Sequence, residues 1–423
     1  MTTDRNENRP GYKETKIGWI PEEWEAVTVR EKATKIGSGI TPRGGKSVYL
    51  DEGIPFIRSQ NVQAGYFEPK DLQYISNEQN DKMASSEVKP KDILYNITGA
   101  SIGRACLFPT EIGTANVNQH VCIVRLKANE CNPSFAVRVM NSDIAKKHLY
   151  ENQAGGGREG LNFQNLGNYR IPLPPLPEQE KIAEVLGCWD EGIQTLEDLI
   201  EQKRLRKKGL MQQLLTGKKR LPGFSEDWKT VKLGTIASIP KKQKLESVEG
   251  KSLLTVKLHC LGIEKNENTR PKLSEKGRPY FKRMAGEFLI GRQNFHNGGF
   301  GIVPKSLDGL IASNAITTLK IDQTKVCKNF LLMTFSNPDY YKRVGHRMDG
   351  TGQKELSEKE ILTLDIPYPP LEEQKAISAV LRTADEEIAL LEAELDALRK
   401  QKKGLMQKLL TGEVRCPEFR TAV

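Results

Sequence analysis

Ile171-Pro-Leu-Pro-Pro-Leu-Pro-Glu-Gln179 recurs 195 positions later as Ile366-Pro-Tyr-Pro-Pro-Leu-Glu-Glu-Gln374. The repeat runs without a gap from 171–224 to 366–419, and 29 of these 54 positions are identical. The stretches that precede the two copies resemble each other only faintly. A chain with similar connectors and dissimilar modules is expected to hold two different binding modules in a fixed relation.

Both connectors have the pattern of long helices, because their apolar residues recur at alternating steps of three and four, as in a coiled coil. The proline-rich starts suit a first helical turn, and Gly217 and Gly412 stand where a C-terminal cap belongs. A helix from Glu178 to Leu215 would be roughly 55 Å long. The apolar seam consists of Leu186, Trp189, Ile193, Leu196 and Ile200 in the first copy, and of Leu381, Ala384, Ile388, Leu391, Leu395 and Leu398 in the second.

A single helix cannot bury such a seam alone. The simplest solution pairs the two copies as long antiparallel coiled-coil helices around a pseudo-twofold axis, since the order along the chain is module, helix, module, helix. The alternative is that each helix packs against its own module.

The modules have the pattern of an α+β fold. Short runs rich in Val, Ile and aromatic residues are bounded by Gly, Pro and Asn, which predicts strands. These runs are 53–57, 92–97 and 121–126 in the first module and 252–256, 287–290 and 315–321 in the second, whereas 135–149 and 328–344 are helical in pattern. The predicted boundaries are 1–170 and 218–365 for the modules, and 171–217 and 366–423 for the helical regions.

The composition favours an acidic partner. The chain of 423 residues has a formal net charge of +10, which suits nucleic acid first and an anionic membrane surface second. No apolar run approaches the roughly 20 residues of a spanning helix, and the first residues lack the apolar segment of a signal peptide. The 7 cysteines are scattered without zinc-ligand spacing. We therefore expect reduced thiols in a cytoplasmic protein without a membrane anchor.

Enzyme motifs are incomplete in this sequence. The stretch 39–47 resembles a phosphate-binding loop, but Ile40 stands where that pattern requires glycine. Gly155-x-Gly157-x-x-Gly160 matches a dinucleotide fingerprint only formally, and its repeat has Glu355 in place of the last glycine. The five histidines have no nucleophile or metal-ligand spacing around them. We expect no catalytic residue, no metal and no cofactor in this chain.

Polar side chains with nucleic-acid chemistry fill the joins between the predicted strands. Arg, Asn and Gln can make paired hydrogen bonds to guanine or adenine edges, and Ser, Thr and Lys suit phosphates. The candidates are Arg58, Ser59, Gln60, Asn61, Thr98, Ser101, Arg104, Asn118, Gln119, His120 and Arg158 in the first module, and Lys257, Arg292, Gln293, Asn294, His296, Asn314, Gln353 and Lys354 in the second. For any single Asn, Ser or Thr, the alternative is that it satisfies the backbone of its own turn.

The whole chain resembles a specificity (S) subunit of a Type I restriction–modification system. Pro174-Pro-Leu-Pro-Glu-Gln179 with its copy carries the resemblance, together with the Gly-Leu-Met-Gln-x-Leu-Leu-Thr-Gly ends at 209–217 and 404–412. Gly39-Ile-Thr-Pro42, the run 53–62 and Ala100-Ser-Ile-Gly103 add to it. The second module lacks the runs that correspond to 39–42 and 54–58.

The resemblance implies a function for each part of the chain. Each module would be a target recognition domain that reads one half of a split sequence in double-stranded DNA. The helices would separate the halves and dock two methyltransferase (M) subunits, which join the restriction (R) subunits. S-adenosylmethionine, ATP and Mg²⁺ would belong to those partners. Helices of roughly 55 Å cover about 15 base pairs, which suits half-sites about one turn apart.

The competing interpretation is a coiled-coil interaction scaffold with no role in DNA recognition. The sequence specifies neither the target bases nor the spacing of the half-sites, so the two interpretations need a test of DNA binding.

Overall fold

The computed structural model describes residues 6–42, 44–153, 160–273, 277–345 and 355–419. The chain divides into two compact units. Unit 1 comprises Met1–Leu196 and Glu394–Val423, and unit 2 comprises Glu197–Ala393. Both division points fall inside long helices, so each unit is described below with its own part of each helix.

Unit 1 is built mainly from short strands, as the alternation of apolar runs with Gly, Pro and Asn predicts. Its strands are β1 Tyr12–Thr15, β2 Gly18–Pro21, β3 Glu25–Thr28, β4 Ala33–Ser38, β5 Ile54–Ile57, β6 Gln73–Ile75, β7 Glu87–Val88, β8 Ile93–Asn96, β9 Ala105–Leu107, β10 Ala115–Val117, β11 Val121–Leu126 and β12 Arg170–Leu173. Its shorter helices are α1 Val29–Lys32, α2 Asn77–Lys82, α3 Pro133–Met140, α4 Asp143–Gln153 and α5 Phe163–Gly167.

Two four-stranded sheets, with strand orders β6-β5-β10-β7 and β4-β11-β8-β9, form the centre of unit 1. In the first sheet β5 and β10 are parallel, with Val117 opposite Ile57. In the second, β4 and β8 both run antiparallel to the β11 strand between them. The carboxyl ends of β5 and β10 therefore share one sheet edge, and those of β4 and β8 share another.

Unit 2 contains the same kinds of element. Its strands are β13 Lys229–Lys232, β14 Ala237–Ser238, β15 Leu253–Val256, β16 Ile263–Asn266, β17 Tyr280–Lys282, β18 Phe288–Gly291, β19 Phe300–Ile302, β20 Ile311–Ser313, β21 Ile316–Ile321 and β22 Asp365–Tyr368. Its shorter helices are α7 Lys328–Ser336, α8 Pro338–Gly345 and α9 Glu358–Leu362.

The sheets of unit 2 repeat those of unit 1 despite the weak sequence similarity. The orders β16-β15-β20-β17 and β14-β21-β18-β19 correspond to the two four-stranded sheets of unit 1. The parallel pair recurs too, with Leu253 of β15 opposite Ile311 of β20. A two-stranded pairing also appears twice, as β3 with β12 and as β13 with β22. The alternation of apolar and polar residues thus encodes the same topology through different residues.

The connectors form the two long helices that the heptad pattern predicts, α6 Leu176–Leu214 and α10 Leu371–Leu410. Unit 1 holds 176–196 of α6 with 394–410 of α10, and unit 2 holds 197–214 with 371–393. Within unit 2 the helices are antiparallel, because Lys203 pairs with Glu387 and Lys207, further along α6, pairs with the earlier Asp385. Within unit 1, Lys402 pairs with Asp190.

The predicted seam is the least exposed face of both long helices. Leu186, Ile200, Leu381, Ile388 and Leu395 are buried. The other predicted seam residues, Trp189, Ile193, Leu196, Ala384, Leu391 and Leu398, are half-buried. The alternative in which each helix packs only on its own module fails, since each unit contains parts of both helices.

Two predicted helices are each divided in two. The stretch 135–149 forms α3 and α4, and 328–344 forms α7 and α8. In unit 2 the break is at Pro338, which removes a backbone donor and pushes Asn337 to an extended conformation with ψ 118°. In unit 1, the side chain of Asn141 donates to the carbonyls of Val137 and Ala105 and competes with the helix.

A membrane-spanning helix is not found within the described part of the chain, since none of the helices there combines the required length with enough apolar residues.

Candidate nucleic-acid interface

The described candidate residues of unit 1 follow the carboxyl ends of β5, β8 and β10, and the segment 39–42 after β4 adjoins them. Hydrogen bonds connect the segments that follow these strands. The backbone N–H of Gly39 donates to the carbonyl of Asn118 at 3.3 Å, and the side chain of Asn96 donates to the carbonyl of Ser59 at 2.9 Å. The four segments therefore form one continuous polar surface, defined by 39–42, 58–63, 97–104 and 118–120, which we call the unit 1 loop surface.

A chain of side-chain hydrogen bonds crosses the unit 1 loop surface. Thr98 Oγ1 lies 2.6 Å from His120 Nδ1, and His120 Nε2 lies 3.2 Å from Gln119 Nε2. The hydroxyl of Thr41 donates to Gln119 Oε1. Three loops thereby hold Gln119 in place, although its side chain is exposed to solvent.

The remaining candidates of unit 1 differ in exposure. Gln60 and Arg104 are exposed, whereas Arg58, Ser59 and Ser101 are half-buried. Arg104 Nη1 donates to Gln63 Oε1 at 2.7 Å, and Arg58 Nη2 donates to the carbonyl of Asp71 at 2.8 Å. Arg58 Nε is buried without a hydrogen-bond partner. These long side chains can still present donors to an acidic ligand.

Two predicted contact residues belong to the interior instead. Asn61 is 0% exposed, accepts from the backbone N–H of Arg58 and donates to the carbonyl of Glu68. Asn118 is 6% exposed and accepts from the backbone N–H of His120 at 3.0 Å. Both satisfy the backbone of their own loop, as asparagine commonly does in turns. We therefore remove them from the candidate contacts and assign them to loop geometry.

Sequence reasoning missed two members of this surface, Gln63 and Thr41. Thr41 lies in the Gly39-Ile-Thr-Pro42 run that carries part of the family resemblance, so that run was a usable signal. Gln63 had no comparable signal, because only the folded loop brings it to Arg104.

The corresponding surface of unit 2 follows β15, β18 and β20. The backbone N–H of Arg292 donates to the carbonyl of Ala315 at 2.9 Å, and that of His259 donates to the carbonyl of Asn297. We call the segments 257–262, 292–297 and 314–315, together with Glu355, the unit 2 loop surface. It differs from the unit 1 surface in the side chains that it presents.

Glu355 joins two of the predicted candidates of unit 2. Its carboxylate lies 2.6 Å from Arg292 Nη2 and accepts from Gln293 Nε2 at 3.2 Å. Arg278 Nη2 also donates to it, at 3.4 Å. The sequence indicated Glu355 only as the residue that replaces the glycine of the first copy, so its place among donors is a structural finding.

The other candidates of unit 2 are less uniform. Asn294 is exposed, and His296 and Asn314 are half-buried, each with one buried polar atom that has no hydrogen-bond partner, His296 Nδ1 and Asn314 Oδ1. Lys257 forms an ion pair with Glu264 at 3.1 Å. The predicted contacts Arg158, Gln353 and Lys354 lie outside the described residues.

The start of α6 is held by a buried cluster of Glu178, Trp24 and Arg415. Glu178 is 0% exposed and accepts from Trp24 Nε1 at 2.9 Å. Arg415 donates to both oxygens of this carboxylate, Nε at 2.5 Å and Nη2 at 2.7 Å, and its guanidinium also lies over the Trp24 ring. A buried carboxylate needs such partners, because an unpaired buried charge is strongly destabilising.

The start of α10 has the same cluster in unit 2, with Glu373, Trp228 and Arg220. Glu373 is 0% exposed, accepts from Trp228 Nε1 at 3.0 Å and receives two hydrogen bonds from Arg220 at 2.7 Å each. The hydrogen bond to Glu373 raises the pKa of the Arg220 guanidinium. Both long helices are therefore anchored by a Glu–Arg–Trp cluster.

The glutamine that follows each glutamate anchors the neighbouring module helix. Gln179 accepts from the backbone N–H of Asn132, the N-cap of α3, at 2.8 Å and donates to the carbonyl of Pro174. Gln374 accepts from the backbone N–H of Cys327, the N-cap of α7, at 2.8 Å and donates to the carbonyl of Pro369. These bonds explain why the Pro-Pro and Glu-Gln pairs occur together in both copies.

The buried thiols are not nucleophiles. Burial raises the pKa of Cys106, Cys122 and Cys131 to about 12, so these thiols stay protonated at neutral pH. Among the described residues, His, Cys, Asp and Glu do not gather in groups of three or more that could hold a metal ion.

Comparison with known proteins shows to which family the chain belongs. The model of the type I restriction modification DNA specificity domain matches residues 21–203 and again 225–400. A putative type I restriction enzyme MjaX specificity subunit from Methanocaldococcus jannaschii is 26% identical over 426 residues, which cover 96% of each chain. The EcoKI specificity subunit from Escherichia coli is 24% identical over 85% of this chain and 82% of its own.

Solved structures agree on the fold. The HsdS subunit from Thermoanaerobacter tengcongensis superposes with a TM-score of 0.52 and 17% identity, covering 93% of this chain and 98% of its own. The S subunit of a Type I restriction–modification system from M. genitalium gives a TM-score of 0.57 with 16% identity. The match covers 97% of this chain and 99% of that subunit. The chain therefore belongs to the type I restriction–modification DNA specificity family, and its function is DNA target recognition by a specificity subunit.

Proposed function

We propose that each unit reads one half of a split sequence in double-stranded DNA, and that the chain itself performs no catalysis. The observation that carries this proposal is the repeated strand order of the two units, in which equivalent strand ends present different polar side chains. A shared sheet topology that presents two different sets of hydrogen-bond donors and acceptors suits two different base sequences.

The exposed side chains of the loop surfaces have the chemistry for reading bases. Gln60 and Gln119 can each make two hydrogen bonds to an adenine edge, and Arg104 can pair with guanine or with phosphate. In unit 2, Arg292 and Gln293 are neighbours on one loop. The net charge of +10 supports the sequence-independent part of binding, in which cations displace counterions from the phosphates.

The long helices supply a surface for partner subunits. Leu199, Leu205, Val380 and Leu390 are 37%, 58%, 37% and 73% exposed, and all four lie on the parts of α6 and α10 that belong to unit 2. We propose that two methyltransferase subunits dock on the helices and that restriction subunits join through them. Those partners would carry S-adenosylmethionine, ATP and Mg²⁺, and the complex would act in the cytoplasm.

Mapping of modified bases in host DNA tests the split target. With the chain and its methyltransferase partner expressed together, single-molecule sequencing should show a split motif with one modified adenine in each half. A control strain without this chain should lack the modification. A continuous motif would contradict the proposal that two units read two halves.

Salt dependence separates DNA recognition from a scaffold without a DNA role. Binding to random duplex DNA, measured with and without the methyltransferase partner, should weaken with added salt. The logarithm of the binding constant should fall against the logarithm of the salt concentration with a slope of about 0.9 for each phosphate neutralised. A flat salt dependence in both preparations would favour the scaffold.

A further inference from the structure

Glu355 is a surface carboxylate among three donors of unit 2. Its neighbours Arg292, Gln293 and Arg278 come from separate segments, 292–293 after β18 and 278 before β17. The side chains remain partly open to solvent, at 25% for Glu355, 18% for Arg292 and 44% for Arg278. The cluster therefore lies where a ligand can reach it.

The backbone around Glu355 matches that of unit 1, but the side chain does not. Leu356 N donates to the carbonyl of Arg292 at 3.1 Å, as Leu161 N donates to the carbonyl of Ile97 at 2.8 Å. The residue before Leu161 is Gly160, which forms a bridge with Thr98. Glu355 thus adds a carboxylate to a frame that carries no side chain at the equivalent place in unit 1.

A carboxylate on a DNA-reading surface has an effect opposite to that of a phosphate contact. It repels phosphates, so by itself it weakens binding to every sequence equally. It can favour one sequence only through neighbouring side chains that contact bases. By holding the guanidinium of Arg292 in one orientation, it prepares the paired donors that recognise O6 and N7 of guanine. Sequence discrimination increases because the arginine is kept from free pairing with any nearby phosphate.

Resting on the proposed function, we propose that Glu355 is a specificity-determining residue of unit 2. It positions Arg292 and Gln293 as one donor set, and the base pair that this set reads contains guanine. Glu355 acts through its neighbours and is a positioning residue, whereas Arg292 makes the base contact.

The test uses the full chain in complex with its methyltransferase partner. Binding sequences are selected from a library of randomised duplexes, and affinities are then measured for every single-base change in both half-sites. Glu355→Gln should reduce discrimination at one guanine of a single half-site by about 5- to 100-fold. The other half-site should keep its discrimination, and affinity for random duplex should be equal or higher.

Three further variants make the result specific. Glu267→Gln changes an exposed carboxylate that pairs with Lys265, and should alter no discrimination. Glu355→Asp should restore part of the lost discrimination. Arg292→Lys keeps the charge but loses the paired donors, so it should remove the preference for the same guanine. Adding Glu355→Gln to Arg292→Lys should then reduce the discrimination little further.

The outcomes separate this inference from the proposed function. If the wild-type chain selects a split sequence and Glu355→Gln changes no position, or changes a position that is not guanine, the inference fails alone. A uniform loss of affinity across all duplexes also overturns it, because the residue then only maintains the fold. If the wild-type chain selects no sequence, the proposed function itself is wrong.

Discussion

Units 1 and 2 are alike at the starts of their long helices and different at the ends of their strands. The glutamate of each helix start is fully buried and bound by one arginine and one tryptophan, with all hydrogen bonds between 2.5 and 3.0 Å. On the loop surfaces, unit 1 has a chain of hydrogen-bonded side chains through Thr98, His120 and Gln119, whereas unit 2 has an ion pair between Glu355 and Arg292.

The difference follows from what each region must satisfy. A buried carboxylate tolerates few replacements, because the loss of any partner leaves a charge or a donor unsatisfied. Polar loops at the edge of a rigid sheet can exchange side chains with little effect on the core. The repeat therefore keeps the residues that position the units and varies those that meet the ligand.

The largest effect is expected from removing the buried carboxylate of unit 1. Glu178→Ala leaves the guanidinium of Arg415 without its main partner and should lower the free energy of unfolding by about 3–5 kcal/mol. Glu373→Ala should have a smaller effect, because Arg220 is more exposed than Arg415, at 24% against 12%, so water can better solvate the guanidinium that loses its partner. Urea denaturation followed by circular dichroism measures both.

The matched control for this comparison is Glu180→Ala. Glu180 lies two residues after Glu178 on α6 and is exposed, so its removal should change stability by less than about 0.5 kcal/mol. Equal losses for Glu178→Ala and Glu180→Ala would show that the buried cluster does not hold the helix.

The next effect concerns the loop surface of unit 1. If Gln119 reads a base, Gln119→Ala should lose roughly 1–3 kcal/mol of binding free energy at one half-site only, and the same holds for Arg58 and Gln60. Competition binding with duplexes altered in either half measures this. Gln202→Ala, on an exposed position of α6, is the control. An equal loss on all DNA would identify a phosphate contact instead.

The seam of the long helices predicts a contrast between neighbouring leucines. Leu391 is half-buried and Leu390 is 73% exposed. Leu391→Lys places a charge against the seam and should destabilise unit 2 by about 2 kcal/mol, and Leu196→Lys should act similarly in unit 1. Leu390→Lys should leave stability within about 0.5 kcal/mol. Hydrogen exchange across 371–393 reports the difference, and equal protection in Leu390→Lys and Leu391→Lys would refute the assignment of the seam.

The smallest effect tests whether the helices are equivalent in the two units. Gly209 and Gly404 occupy the same place in the repeat, and a Cβ at either would meet nothing within 4 Å. Gly209→Ala and Gly404→Ala should each stabilise the protein by about 0.5–1 kcal/mol, because alanine favours the helix. Thermal unfolding measures both, and opposite signs would mean that the two helix ends differ in their surroundings.

The sequence predicted the long helices well, because a repeated heptad pattern is strong and local. It also placed the candidate contacts at strand ends, since apolar runs such as 53–57 are followed by polar residues. It could not separate Gln119, which is exposed, from Asn61 and Asn118, which are buried in their own loops. Asparagine can serve either a turn or a ligand, and only its surroundings decide which.

The anchor clusters at the helix starts were not predicted. Glu178 and Glu373 are visible in the repeat, and so are Arg220 and Arg415, but the partner tryptophans are not at the same spacing. Arg415 reaches Glu178 across 237 positions. Such a contact depends on how the chain returns to its first unit, which no local pattern encodes.

The sequence by itself determined that the protein has two similar helical connectors, two different modules and a basic charge, because repetition, periodicity and composition are read along the chain. The tertiary structure decided that both modules share one strand order, which polar side chains are buried, and which donors surround Glu355. These features depend on contacts between segments distant in sequence, where burial and hydrogen bonding select one arrangement from many.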